Sequence, residues 1–159
     1  MRIETIKEVL AKCDGLINKA NKSFVRNLLI FKYLNDCFDQ ERNIIKQDFL
    51  IRGICEVEAK QLIEEHAYYN VVFIPVCARW NTLKQASNIH ESISTAIEHI
   101  LESNPNIHLP IKYENGTNDI DDFTTIALMT LIEVLQFEAI VIQEEWKVIE
   151  HWLNEVKDV

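Results

Sequence analysis

At 159 residues the chain has the length for one hydrophobic core, and 48% hydrophobic residues with only three glycines and three prolines favour helix over sheet or disorder. A net charge of −9 argues against a stand-alone nucleic-acid binder, since phosphates are neutralised by Lys and Arg. No leader or membrane span is predicted: Met1-Arg2-Ile3-Glu4 opens a charged amphipathic pattern, and no apolar run reaches spanning length.

Ile6, Val9, Leu10, Cys13, Leu16, Ile17 and Ala20 recur every three or four residues and predict a first helix over about residues 4–20, weakened at Gly15. Asn21-Lys22-Ser23 is a polar joint with two residues suited to capping. A second helix carries Phe24, Val25, Leu28, Phe31, Leu34, Cys37 and Phe38, and its pattern runs on through Ile44, Ile45 and Phe49 to Gly53. A shorter helix over about 57–66 presents Val57, Leu62 and Ile63. Val71, Val72, Phe73 and Ile74, closed by Pro75, predict an extended segment at 71–75 packed on helices.

A helical turn near 78–86 comes next, and then a helix with clear punctuation. Asn88 and Glu91 have the spacing of a capping box, Ile89, Ile93, Ala96, Ile97, Ile100 and Leu101 form one buried stripe, and Ser103-Asn104-Pro105 ends it. Residues 105–119 read as the main loop, with Pro110 and Asn115-Gly116 as turn signals, and Asp119, Asp121 and Asp122 suit the start of another helix. Leu128, Ile132, Leu135, Ala139, Ile142, Trp146, Ile149, Leu153 and Val156 then step by four and three, an apolar seam about four heptads long. Two readings of that seam stay open. It is one long helix lying across the core, or its far end, through Ile142, Trp146, Ile149, Trp152 and Leu153, packs on another chain, in the simplest case a second copy.

The fold class expected is therefore all-α, a helical bundle with one short extended segment near 71–75. Residues 1–137 form the bundle domain, and 138–159 a C-terminal helix that is either its boundary or an interaction segment. Charge is uneven along the chain. Residues 1–52 hold ten Lys and Arg against seven acids, and the remainder six against eighteen. If any surface touches DNA it is the N-terminal third, with Lys19, Lys22 and Arg26 as candidates; the alternative is solvated helix faces.

Catalytic patterns are absent. His66, His90, His99, His108 and His151 form no common ligand spacing. Cys13, Cys37, Cys55 and Cys77 form no close pair and read as buried, reduced thiols of a cytoplasmic protein; Cys77, near Arg79, reads as a core residue rather than an activated thiol.

VFIPVCARW at 72–80, followed by a helix ending in ESNP, resembles the N-terminal helical domain of type I restriction-modification M subunits, which are adenine-specific DNA methyltransferases. Leu28-Leu29-Ile30-Phe31-Lys32-Tyr33-Leu34-Asn35-Asp36, continued by Phe38 and Glu41, is similar to a second motif of that family, and a weaker likeness reaches Ile126–Leu135. The resemblance covers roughly residues 5–137. It implies a helical domain without catalytic residues, working beside a methyltransferase catalytic domain, a specificity subunit and a second M subunit on DNA. S-adenosylmethionine would bind the catalytic domain. This chain has no Asn-Pro-Pro-aromatic motif and no Gly-rich loop, its glycines being Gly15, Gly53 and Gly116, so no cofactor is expected here. The resemblance singles out Arg79 and Trp80: either Trp80 fills the core while Arg79 pairs with an acid, or Arg79 helps hold DNA or an adjacent subunit.

Overall fold

The computed structural model describes residues 3–109, 113, 120–138 and 142–156. Among them seven α-helices and no strand occur: α1 Ile3–Cys13, α2 Lys22–Ile51, α3 Glu56–Leu62, α4 Trp80–Leu83, α5 Ile89–Ser103, α6 Asp122–Ile132 and α7 Ile142–Asn154. The all-α bundle is what the periodicity predicts. The segment at 72–75 is extended, with Val72 and Ile74 buried and Val71 exposed. No helix among the described residues is long and apolar enough to cross a membrane.

Helix α2 is the spine. Over its first half Phe24, Val25, Leu28, Leu29, Ile30, Phe31, Leu34 and Phe38 are fully buried, so this stretch is covered on every side. Helices α1, α4, α5, α6 and α7 and the extended segment share that core. The second half of α2 runs past it and packs with α3 over a smaller core of Phe49, Ala59 and Ile63. The spine ends in a tight cap. Gly53 takes a φ of 88°, its N–H donates to the Leu50 carbonyl, and the Ile54 N–H reaches back to that of Phe49. This is the paired pattern of a left-handed helix stop, where a side chain would be strained.

Several boundaries depart from the periodic reading. Helix α1 stops at Cys13, and Asp14–Leu16, with Gly15, forms a 3-10 turn. Beyond it Asn18 and Asn21 exchange side chain-to-backbone bonds of 2.8 and 2.9 Å, and Asn21 also donates to the Leu16 carbonyl, which folds the chain out of helix. The capping box at α5 does not form: Asn88 is left-handed at φ 52° and its side chain makes no cap bond, whereas an N-cap needs an extended residue. At α6 Asp121 does cap, accepting from the Thr124 N–H at 2.6 Å. Asp119, Pro110 and Asn115-Gly116 lie outside the described residues.

The heptad seam is not one helix. Helix α6 ends at Ile132, α7 begins at Ile142, and residues 133–138 between them are not helical. The cause lies on α2: the Phe137 N–H donates to Asp36 Oδ2 at 2.9 Å, and its carbonyl accepts from Gln40 Nε2 at 2.6 Å. Both backbone groups are thereby withdrawn from any helix. The seam residues still share one core, because Leu128, Ile132, Leu135, Ile142, Trp146, Ile149 and Leu153 are all buried; Ala139 lies outside the described residues. In α7 that face turns inward onto α1, and Trp146 stacks on Phe137 at 5.7 Å.

Two stability outcomes follow from these elements. Gly53→Ala should lower unfolding free energy by about 1 kcal/mol in urea titration, because alanine resists the positive φ. Glu145, buried at the start of α7, has its carboxyl raised above the ordinary range, first by burial and then by Glu138 and Asp36, while the Glu138 backbone N–H pulls the other way. A raised carboxyl favours the folded state at low pH and weakens it as pH climbs through the folded value. Glu145→Gln should therefore stabilise the protein near neutral pH, and the gain should shrink on acidification in thermal melts.

Candidate functional site

The two motifs that carry the family resemblance meet at one place. Asn35, mid-helix in α2 and buried, donates from Nδ2 to the Phe31 carbonyl at 2.9 Å, and its Oδ1 accepts the Trp80 N–H at 2.8 Å. That amide opens α4, where helix N–H groups lack intrahelical partners. The Trp80 ring stacks on Phe31 at 5.8 Å, and Lys32 Nζ sits 5.8 Å from the same ring. Trp80 Nε1 reaches Glu133, which also binds Lys84 at 2.9 Å, so α4 is tied to the end of α6. One turn on, Asp36 takes Lys32 Nζ at 2.5 Å besides the Phe137 N–H. Burial raises the Asp36 carboxyl, and Lys32 and the Phe137 N–H oppose that rise.

Arg79 forms a second joint. Its Nε donates to the Ile74 carbonyl at 3.0 Å, its guanidinium lies 4.7 Å from the Phe38 ring, and its Nη2 meets Glu64 at 2.6 Å. Glu64 also takes Arg42 at 3.0 Å, and the Arg79 hydrogen bond is the main reason its carboxyl is held below the ordinary range. The acid that pairs with Arg79 is thus Glu64, and Trp80 is buried; packing is the role the geometry gives both. The end of α5 makes a third joint: Asn104 accepts the Phe73 N–H at 3.1 Å and donates to the Phe73 carbonyl at 3.1 Å, as a neighbouring strand would. Glu41 receives the N–H groups of Asn70 and Val71.

The sequence-selected residues do not converge on one site. Lys19 is exposed in the turn before α2, and Lys22 and Arg26 are half-buried in its first two turns. Arg79 lies elsewhere, with its side chain 14% exposed and paired. Of the residues expected to meet another chain, Ile142, Trp146, Ile149 and Leu153 bury in this chain's own core, because α1 supplies Ile6, Val9, Leu10 and Cys13 opposite them. Trp152 is half-buried and donates from Nε1 to Asp14 at 2.5 Å. Cys13 and Cys37 are buried, with thiols pushed up to about 11 by burial. Cys55 and Cys77 are exposed instead. In the turn Val76–Ala78 it is Ala78 that points into the core. No group of three His, Cys, Asp or Glu placed to hold a metal occurs among the described residues.

Sequence reasoning missed Glu64, Gln40, Glu133 and the clamp by Asn104. Glu64 and Glu133 look like ordinary surface acids, and their signal is the partner, an arginine or lysine distant in sequence. An open cleft of about 530 Å³ between α2 and α3, lined by Arg42, Lys46, Lys60, Asp39 and Glu64, mixes both signs of charge.

The family model described as HsdM N-terminal domain matches residues 18–134, well over half of the chain. No curated protein and no solved structure matches it.

Removing the Asn35 side chain strands a buried backbone N–H, so Asn35→Ala should cost about 1–3 kcal/mol of stability in denaturant titration. Glu64, with its lowered carboxyl, stabilises the fold at neutral pH, and that contribution is lost as pH falls through the folded value. Glu64→Gln should flatten this acid limb of the stability–pH curve.

Proposed function

Because the chain belongs to the HsdM N-terminal domain family, the N-terminal domain of type I restriction-modification M subunits, we propose that it serves an adenine-specific DNA methyltransferase without doing chemistry itself. It joins the modification complex and helps hold DNA. S-adenosylmethionine binding, base flipping and methyl transfer belong to a catalytic domain with an Asn-Pro-Pro-aromatic motif. The partners are that domain, a specificity subunit and a second M subunit.

One observation carries the reading: the residues of both family motifs are engaged with one another. Phe31, Lys32, Asn35 and Asp36 hold Trp80 and Phe137, and Arg79 is held by Glu64. Such residues set the shape of a frame. DNA contact then falls to the start of α2, to Lys19, Lys22 and Arg26, where the helix N-terminus adds its own positive end. Arg79 acts through the frame.

Replacing Lys19, Lys22 and Arg26 together by Ala should weaken retention on duplex DNA at low salt and reduce the salt slope by about one to three. Unchanged retention would remove these residues from the contact. Calorimetric titration of the chain with S-adenosylmethionine should give no binding heat, and micromolar binding would overturn the non-catalytic reading.

A further inference from the structure

After Asp122 at its first position, α6 has no charged residue. Its inner face, Thr125, Leu128, Met129 and Ile132, is buried in the core. Its outer face is equally uncharged but open: Phe123 is 81% exposed, Ile126 43% and Val134, just past the end, 65%, with exposed Thr130 between them. At 1.5 Å per residue this stripe is about 16 Å long. Single exposed apolar side chains are ordinary on a surface, but three turns of one face without a charge mark a place where something docks. A helix apolar on both faces is normally covered on both.

The stripe has one charged pole. At its N-terminal end Asp121, Asp122 and Glu91 gather around one shallow depression, and no ion pair among the described residues joins them. Asp121 is held in its ionised form by the Thr124 N–H. At the other end Glu133 is neutralised by Lys84 at 2.9 Å.

We propose that the outer face of α6 docks an amphipathic helix of a partner protein, running antiparallel to α6. That helix is apolar along one stripe and carries Lys or Arg in its last turn. Antiparallel packing sets its basic end against Asp121 and Asp122, where those cations also suit its own helix dipole. A second copy of this chain is disfavoured, since each brings a charge of −9 and no basic pole on α6. DNA is disfavoured by the acids. The inference rests on the chain being an assembly domain, and it names the surface and the chemistry of what it assembles with.

The test uses two labelled synthetic amphipathic peptides of about 20 residues, long enough to be helical. One has Lys and Arg in its last turn, and its twin has Glu there. Fluorescence anisotropy should show the basic peptide binding at least about tenfold more tightly than the twin, a gap of about 1.4 kcal/mol. Phe123→Asp and Val134→Asp should each weaken it by a similar factor while leaving the melting temperature unchanged, because both side chains are exposed. Equal binding of the two peptides, binding indifferent to both substitutions, or no binding would overturn the proposal. So would sedimentation showing a dimer that Phe123→Asp dissolves, which makes a second copy the occupant. DNA retention of the unsubstituted chain separates the two ideas: no preference for the basic peptide in a chain still retained on DNA defeats the docking surface alone.

Discussion

Asn35 sits in the middle of a helix that is apolar on nearly every side, yet it is polar and buried, with both ends of its amide hydrogen-bonded. It donates one bond back to its own helix and accepts the other from the first amide of α4. Asp36, Gln40 and Glu41 serve backbone groups of Phe137, Asn70 and Val71 along the next two turns. A buried backbone amide or carbonyl without a partner costs about 1–3 kcal/mol. The connections around α2 are irregular, and α2 side chains supply partners to several of their backbone groups. The arrangement of the bundle depends on this service: α4, the approach to the extended segment at Asn70 and Val71, and the stretch after α6 are each held at a stated atom of the spine.

The same constraint explains where the chain was readable before its structure was known. Helix α2 was legible to its end, because an unbroken apolar pattern and Gly53 bracket it. The stripe of α5 was legible for the same reason. The extended step at 72–75 was legible from β-branched residues closed by a proline. The split of the C-terminal seam was not. Its periodicity runs undisturbed across residues 128–156, and the interruption comes from Asp36 and Gln40, about a hundred positions away. Local pattern carries no information about an acceptor that distant. The early end of α1 is a milder case, where Asn18 and Asn21 outbid a helix that Gly15 had already weakened.

Residue identity was also easier to read than residue role. Both motifs stood out in the chain, but their mutual contact did not, and the acid expected to pair with Arg79 had no identity until Glu64 appeared beside it. Trp146 looked like an interface anchor by composition, and α1 proved to be its partner. The opposite case is α6. It drew attention only as part of the seam, although no position of it after Asp122 is charged and its outer face is uncovered. An apolar side chain announces that it will be covered and says nothing of which chain covers it.

The clasp between Asp36 and the Phe137 amide closes a loop of 101 residues. During synthesis at about 5–20 residues per second, roughly 5–20 seconds separate the emergence of its two halves from the ribosome. For the first half of that interval the most apolar half of α2 exists without α5 or α6 to cover it, and α7 is missing throughout. The nascent domain therefore passes through a stage with its spine formed or collapsed and its lid unmade. Non-local closure of this kind slows folding, because chain entropy is lost before the contact is gained. An organism making this protein has to keep that half-built spine from meeting another of its kind.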